Sequence, residues 1–361
     1  MTAQTPGAEF PGFATVRTRI DGFLDDFLTH KTHTADTQKM PGEVPRTLHD
    51  FLFAGGKRLR PLLCVAGWHA AGGHGNPAPT FQVAASLEMF HAFALIHDDV
   101  MDNSATRRGR PTVHRQLAAR HQNGRSTATA DHLGAGAAIL IGDLALAWSD
   151  ELLHTAGLTP KQLRAVLPLI DTMRTEVMYG QYLDLAAAGT LTDDVELALT
   201  IVRYKTAKYT VERPLHVGAA LAGADAPVRA ALSAFALPVG EAFQLRDDLL
   251  GVYGNPATTG KPCTDDLREG KHTALTALAF RRASQDQRKS LTGLFGDADL
   301  DEESCDRLRG ILTATGARAA VEQMIQSRCE QAEQALARAP FPPAARHALH
   351  ALARAATGRT A

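Results

Sequence analysis

Apolar side chains recur at three- and four-residue spacing through most of the chain, and few segments alternate between apolar and polar residues. Such spacing gathers side chains on one face of a helix, whereas alternation would predict strands. Glycine, proline and polar clusters separate the periodic segments, as expected between helices. The pattern predicts an all-α protein, and we expect residues 1–361 to form one domain with residues 1–11 disordered.

The spacing predicts the positions of the main helices and loops. Helices are expected over residues 15–29, 46–53, 80–102, 135–153, 159–185, 195–222, 240–251 and 273–282, with further helices from 297 to 357. Residues 30–43 and 115–134 are polar and lack a clear apolar face, so both are predicted to be loops, the second a mobile one. Another loop is predicted at 252–267, where proline, glycine, threonine and aspartate are frequent.

The most informative stretch contains three aspartates followed by two adjacent arginines. Asp98 and Asp102 are four residues apart and share one helix face, while Asp99 lies on the neighbouring row. Three carboxylates this close repel one another, and a divalent cation removes that cost. Because no histidine or cysteine stands at metal-ligand spacing, the oxygen ligands favour Mg²⁺ over Zn²⁺. Arg107 and Arg108 then supply paired donors for phosphate oxygens.

A second acidic pair, Asp247 and Asp248, lies on another apolar helix, with Gln244 on an adjoining row. Either acidic helix alone has an ordinary alternative interpretation as a solvated helix end. Two acidic pairs on two apolar helices are a stronger signal, and they favour a metal site between the helices.

A pair of glycines precedes Lys57 and Arg60, which lie three residues apart and face the same way once the next helix begins. Glycines let a backbone approach a ligand closely, so this stretch is a candidate anion cradle. A helix end followed by a cationic turn is the alternative interpretation.

Composition narrows the function further. The net charge of −1 provides no general basic surface, so nucleic acid is not an expected partner. The four cysteines are widely scattered without a Cys-x-x-Cys pair, which fits neither a zinc site nor a disulfide framework and agrees with the cytoplasm. We expect no membrane span, because no stretch of about 18 uninterrupted apolar residues occurs.

In their order along residues 51–278, these motifs resemble those of the trans-isoprenyl diphosphate synthases, also called polyprenyl synthetases. The resemblance implies the isoprenoid synthase fold, a bundle of long antiparallel helices around a deep apolar cavity, and a homodimer. It implies a prenyltransferase of the short-chain type, similar to geranylgeranyl and farnesyl diphosphate synthases. Such an enzyme condenses isopentenyl diphosphate with dimethylallyl, geranyl or farnesyl diphosphate, with three Mg²⁺ ions per substrate-bound site.

The resemblance also assigns roles to the residues at matching positions. The expected metal ligands are Asp98, Asp99, Asp102, Asp247 and Asp248. Isopentenyl diphosphate would be held by Lys57, Arg60, His91 and Arg108. The allylic diphosphate would contact Arg107, Lys205 and Lys261, and Lys271 resembles the family's second loop lysine. The catalytic set is Asp98, Asp102, Lys205, Thr206, Gln244 and Asp247, of which Lys205, Thr206 and Gln244 would stabilise the developing cation.

In the family, the residues before the first acid form the cavity wall, which limits product length. Ala94 lies within about 40° of Asp98 on a helical wheel, whereas Phe93 lies about 140° away. A small side chain below the acids favours a C20 product, geranylgeranyl diphosphate, over C15 farnesyl diphosphate. Phe90 and Phe93 are the other candidates for the cavity floor.

The sequence departs from the family at Gly251, which stands where the second acidic motif usually has its third acid. Two other functions remain alternatives. A class I terpene cyclase would replace Gln244, Asp247 and Asp248 with an Asn/Ser/Glu metal triad and would not use a second diphosphate site. A non-catalytic subunit of a heteromeric synthase would not need the nearly complete set of motifs.

Overall fold

Helices account for nearly all regular structure in the computed structural model of the protein, which describes residues 10–255 and 264–358. The first are α1 (Phe13–Thr37), α2 (Glu43–Phe53), α3 (Leu59–Ala70), α4 (Ala78–Met101), α5 (Val113–Arg120) and α6 (Thr127–His154). Next come α7 (Pro160–Ala187), α8 (Val195–Ile201), the π-helix Val202–Glu212, α9 (Arg213–Leu221) and α10 (Ala226–Tyr253). The remainder are α11 (Asp265–Arg268), α12 (Ala274–Arg282), α13 (Gln285–Leu294), α14 (Glu302–Ala314), α15 (Ala317–Arg338) and α16 (Pro343–Thr357). The predicted all-α class is confirmed.

Helix α4 is apolar on most sides and packs against α1, α3 and α6. Phe81, Leu87 and Phe90 on this helix are each at most 2% exposed. A helix that is apolar all round is buried in the core of a large protein. The acidic residues Asp98 and Asp102 therefore lie where the helix leaves the core.

A short antiparallel hairpin, β1 (Thr106–Arg107) and β2 (Arg110–Pro111), follows α4. Its turn contains Arg108 at φ 54° and Gly109 at φ 72°. Two successive left-handed residues make the type of tight turn that matches the twist of paired strands. The hairpin brings Arg107 back towards the acidic end of α4.

Buried apolar side chains form two clusters, and α10 contributes to both. Leu232 and Phe235 in its first half belong to the larger cluster. Leu245 and Leu249 in its second half belong to the smaller cluster, together with residues of α12, α14 and α15. The continuity of α10 through both clusters supports a single domain, which stays a prediction.

The chain between α8 and α9 winds as a π-helix, a rare conformation that is frequent at functional sites. Two glycines allow this wider helix to lie against its neighbours. A Cβ on Gly180 of α7 would lie 2.4 Å from the backbone nitrogen of Lys205. A Cβ on Gly240 of α10 would lie 2.5 Å from the Cα of Ala207. Side chains at either glycine would push the π-helix away from α7 or α10.

The predictions of loops at residues 30–43 and 115–134 are wrong. Helix α1 continues through most of the first segment, where Lys31 pairs with Glu151 of α6 at 2.6 Å. The second segment forms most of α5 and the start of α6, and Leu117 within it is only 2% exposed. Neither segment has a strong apolar period of its own, so tertiary contacts decide its structure.

Of the residues predicted to be disordered, 1–9 lie outside the described part of the chain. Phe10 is half-buried, and its ring centroid lies 5.3 Å from that of Phe13 and 5.4 Å from that of His69. The prediction therefore extends too far at Phe10, which packs against the core.

Candidate active site

Asp98 lies at the centre of a cluster of polar side chains from four elements. Its carboxylate accepts hydrogen bonds from Arg107 of β1 at 3.2 Å, Gln181 of α7 at 3.1 Å and Lys205 of the π-helix at 3.3 Å. Lys205 also donates to Asp184 of α7 at 2.5 Å. Burial by itself lowers the pKa of Lys205, but Asp98 and Asp184 outweigh it and raise the pKa above its ordinary value. The lysine is therefore held in its charged form.

Asp99 is fully buried, and Arg107 engages both of its carboxylate oxygens. The Nε atom of Arg107 lies 2.8 Å from each oxygen, and an Nη atom lies 2.7 Å from one of them. Burial acts to lower the pKa of Arg107, but its hydrogen bonds to Asp99 raise it. Asp99 thus anchors the hairpin arginine, and its predicted role as a metal ligand stays a prediction.

Lys271 connects the two acidic regions. Its ammonium lies 3.5 Å from Asp102 at the end of α4, 3.6 Å from Asp266 and 2.9 Å from Glu269. Burial raises the pKa of Asp102, and the charge of Asp98 raises it further, whereas Lys271 opposes both. Burial alone would lower the pKa of Lys271, but the surrounding carboxylates raise it well above its ordinary value.

A chain of hydrogen bonds runs from the π-helix to the second acidic helix. The Thr206 hydroxyl donates to the side-chain oxygen of Gln244 at 2.6 Å, and the Gln244 amide donates to Asp248 at 2.7 Å. Burial raises the pKa of Asp248 to about 7, and the nearby charges of Asp266 and Asp247 act in the same direction. Asp247 is less buried than Asp248 on the same helix.

The carboxylates fit a metal ion that is shared with a substrate. Across residues 10–255 and 264–358, no group of three acidic, histidine or cysteine side chains forms a ready metal cage. Mg²⁺ usually binds through one or two carboxylates and completes its octahedron with water and substrate phosphate. Asp98 and Asp102 from α4 and Asp247 from α10 are oxygen donors of this kind, so a bound diphosphate would complete the coordination.

His91, two turns before the acids on α4, lies among arginines. Its Nδ1 atom is 3.2 Å from the hydroxyl oxygen of Tyr209. Burial lowers the pKa of His91 well below its ordinary value, and Arg60 and Arg108 act in the same direction. The Arg60 guanidinium packs 4.3 Å from the Tyr209 ring centroid, and its buried Nε has no hydrogen-bond partner among the described residues. A neutral histidine among cations indicates a site for an anion.

Arg58 holds the loop that carries Lys57. It adopts a left-handed φ of 51°, and its buried guanidinium pairs with Glu88 of α4 at 3.0 Å. Arg108 donates to a backbone carbonyl of the same loop, so Lys57 and Arg108 lie on one side of the site. The sequence analysis did not separate Arg58 from the neighbouring cations, because only its tertiary partners distinguish it.

The residues predicted to limit product length lie along one side of α4. Phe90 is 1% exposed, and the guanidinium of Arg174 on α7 lies 5.3 Å from its ring centroid. Phe93 packs edge-on against His97 at 4.8 Å, and His97 in turn lies 2.9 Å from a backbone carbonyl of α6. On a helical wheel, Ala94 lies about 40° from Phe90 and about 40° from Asp98, so it falls between these two residues and away from Phe93.

The structure thus brings Arg107, Lys205 and Lys271 to the acidic end of α4. Arg60 lies near His91 instead, and Lys261 lies outside the described residues. Gln181, Asp184 and Asp266 were not predicted to be site residues, although all three contact residues that were. Gln181 and Asp184 share a helix face, which was the only sequence signal for them.

The chain as a whole is similar to known isoprenyl diphosphate synthases. The chain is 33% identical over 324 residues to the geranylfarnesyl diphosphate synthase of Aeropyrum pernix, covering 89% of this chain and 92% of that protein. It is 36% identical over 248 residues to the farnesyl diphosphate synthase of Geobacillus stearothermophilus, covering 66% and 77% of the two chains. The crystal structure of a Corynebacterium glutamicum geranylgeranyl pyrophosphate synthase, complexed with isoprenyl diphosphate and magnesium, superposes with a TM-score of 0.92 at 39% identity, covering 97% of this chain and all of that one.

The family description "Polyprenyl synthetase" matches residues 43–312, three quarters of the chain. Together with the shared fold and similar relatives, this match shows that the chain belongs to the polyprenyl synthetase family. It is therefore a prenyltransferase of the short-chain type, as the motifs predicted.

Replacing Asp98 with Asn should reduce turnover on the order of a hundredfold to a thousandfold. The substitution removes a negative charge that would help to bind Mg²⁺, the cation expected to neutralise the diphosphate leaving group. Folding should be largely retained, since Lys205 keeps Asp184 and Arg107 keeps Asp99 as partners. Steady-state kinetics and thermal denaturation would measure both effects.

The matched control is Asp143→Asn, which changes an acid on α6 whose side chain is 57% exposed and lies near His97. This control should keep nearly normal turnover. Normal turnover of the Asp98→Asn variant as well would contradict the assignment of Asp98 to the active site.

Proposed function

We propose that this prenyltransferase joins isopentenyl diphosphate to an allylic diphosphate and that geranylgeranyl diphosphate is its main product. The observation that carries the proposal is a pair of separate clusters of charged side chains on one face of α4. Asp98 marks a site of mixed carboxylates and cations, and His91, seven residues earlier, marks a cationic site. Seven residues span about 10 Å of helix, which gives room for two diphosphate groups.

The residues around Asp98 suit ionisation of the allylic diphosphate. Arg107 and Lys205 would hold the diphosphate and neutralise the charge that grows on it as the C–O bond breaks. The chemistry that Mg²⁺ supplies when bound is further neutralisation of this leaving group, and we propose three ions held by Asp98, Asp102 and Asp247 with the substrate. The Thr206 hydroxyl and the Gln244 amide would orient their dipoles towards the carbocation.

The residues around His91 suit the second substrate. Lys57, Arg60 and Arg108 would bind isopentenyl diphosphate, with neutral His91 as a hydrogen-bonding partner. Apolar side chains below both sites would exclude water, so the double bond of isopentenyl diphosphate attacks the cation. The resulting cation then gives a proton to the released pyrophosphate, and the new double bond completes the added five-carbon unit.

A homodimer is proposed from an apolar surface shared by α6 and α7. The exposed large apolar residues on these two helices are Ile139, Leu140, Met178, Tyr179, Tyr182 and Leu185. Helix α6 is long and apolar enough to cross a membrane by length and composition alone, yet only 33% of its apolar window is buried within one chain. A second copy covering this surface accounts for both observations. The wide scatter of the four cysteines along the sequence, without a Cys-x-x-Cys pair, supports the proposed cytoplasmic location.

Incubation of the purified protein with Mg²⁺, isopentenyl diphosphate and dimethylallyl, geranyl or farnesyl diphosphate should release pyrophosphate and extend each allylic chain, with C20 as the main product. Chromatography after phosphatase treatment would identify the products. Cyclic hydrocarbon without isopentenyl diphosphate would indicate a terpene cyclase, a C15 end product would indicate a farnesyl diphosphate synthase, and inactivity would indicate a non-catalytic subunit.

The Arg60→Ala variant should raise KM for isopentenyl diphosphate much more than KM for the allylic substrate.

Replacing Ala94 with Phe should shorten the main product by one five-carbon unit while the first condensation continues. Overfilling a packed wall costs about 1–3 kcal/mol, which disfavours the longer occupant roughly tenfold to a hundredfold. Phe90→Ala is the matched variant and should lengthen the product. An unchanged C20 product from active Ala94→Phe would show that Ala94 does not line the floor.

Replacing Leu140 with Glu should dissociate the proposed dimer, because Leu140 is 65% exposed within one chain and would be buried against a second copy. Light scattering after size-exclusion chromatography would measure the mass. The control, Met40→Glu, changes a residue that is 61% exposed away from α6 and α7 and should remain dimeric. A monomeric unaltered protein at micromolar concentration would contradict the dimer.

A further inference from the structure

The second acidic helix lacks a third acid at Gly251, but the space for a side chain there is not empty. A Cβ placed on Gly251 would lie 1.8 Å from Oδ2 and 2.7 Å from Cγ of Asp266. No real Cβ makes so short a contact, so the Asp266 carboxylate occupies the place where the first atoms of a side chain at position 251 would lie. The carboxylate of Asp266 therefore takes the place of the side chain that is absent at Gly251.

Contacts around α11 hold Asp266 in this place. Leu267 is 1% exposed in the core, and Arg268 donates to the carbonyl of Leu300 at 2.7 Å. The backbone N–H of Lys271 donates to the carbonyl of Asp266 at 3.0 Å. The segment that carries the carboxylate is thus fixed by packing and backbone hydrogen bonds on the C-terminal side of Asp266.

The carboxylate of Asp266 also interacts with charged groups of the acidic site. It lies 3.6 Å from the Lys271 ammonium, which is 3.5 Å from Asp102 of the first acidic helix. Its negative charge helps to raise the pKa of Asp248 on α10, and it does so more strongly than the charge of the adjacent Asp247. Asp266 is therefore connected to both acidic helices, to the end of α4 through Lys271 and to α10 at Gly251.

We propose that Asp266 is the third acid of the second acidic site, supplied from α11 through the gap that Gly251 leaves on α10. This inference rests on the proposed function and deepens it, because it identifies a positioning residue for Mg²⁺ bound with diphosphate. Gly251 is required because a side chain there would displace the carboxylate. A simpler role for Asp266 would be only to pair with Lys271. Glu269 pairs with the same lysine at 2.9 Å, so in that case the loss of either carboxylate would have a similar effect.

Calorimetric titration of Mg²⁺ into the full-length protein with inorganic pyrophosphate measures metal binding without turnover. Asp266→Asn, which keeps the shape and removes the charge, should weaken Mg²⁺ binding about tenfold to a hundredfold, as loss of a supporting acid commonly does. The matched control Glu269→Gln should change the Mg²⁺ affinity less than threefold. Equal effects of the two variants, or no effect of Asp266→Asn, would overturn the proposal.

Moving the carboxylate between the two positions gives a second test that does not depend on one variant folding well. Asp266→Gly should weaken Mg²⁺ binding, and Gly251→Asp combined with Asp266→Gly should restore most of it. Gly251→Asp alone should weaken binding, because two carboxylates would compete for one place. Failure of the double variant to recover affinity while it remains folded by circular dichroism would contradict the shared position.

These measurements separate this inference from the proposed function. Loss of Mg²⁺ affinity in Asp266→Asn, with a wild-type enzyme that does not condense the two diphosphates, would reject the reaction and keep the assignment of Asp266. Condensation by the wild type, with unchanged Mg²⁺ affinity in Asp266→Asn, would reject only the assignment of Asp266.

Discussion

Repulsion between carboxylates is the constraint on which the rest of the site depends. Two helices direct acids towards a common volume, and the chain offsets this repulsion with its own cations. Lys205 lies between Asp98 and Asp184, and Lys271 lies between Asp102 and Asp266. Each lysine connects acids from different elements, so the same ion pairs that permit the cluster also set the distances between α4, α7, the π-helix and α11.

This arrangement links metal binding to substrate binding. The carboxylates keep Lys205 and Lys271 charged although both are largely buried. If a divalent cation takes over the carboxylates, the two ammonium groups lose part of their countercharge and favour a new anion. A diphosphate brought by the metal is such an anion, so metal and substrate stabilise each other in the proposed reaction. Arg107 keeps Asp99 as a partner in the structure described, so it does not depend on Asp98 alone.

The sequence predicted the parts of this site that depend on local geometry. The spacing of Asp98 and Asp102 determines a shared helix face, and the apolar residues before them predict a buried helix, as observed. The π-helix at Lys205 could not be predicted, because it depends on glycines of α7 and α10 that are distant in sequence. Arg58 and Asp266 were missed for the same reason, since each is an ordinary charged residue until its tertiary partners are known. The loop predicted at 115–134 was wrong because buried contacts there outweigh a weak local pattern.

Product length depends on a different part of the molecule from the acidic site. Relatives of comparable identity are named for farnesyl and geranylfarnesyl products, although all of them match the chain over most of its length. Ionisation requires the same charges for every allylic diphosphate, so those charges cannot distinguish products that differ only by apolar five-carbon units. We expect the distinction to come from the apolar residues that precede the acids on α4, where Phe90 and Ala94 lie on nearly the same side of the helix as Asp98. Because a packed wall responds to single methylene groups, we expect a change at Ala94 alone to move this limit by one five-carbon unit.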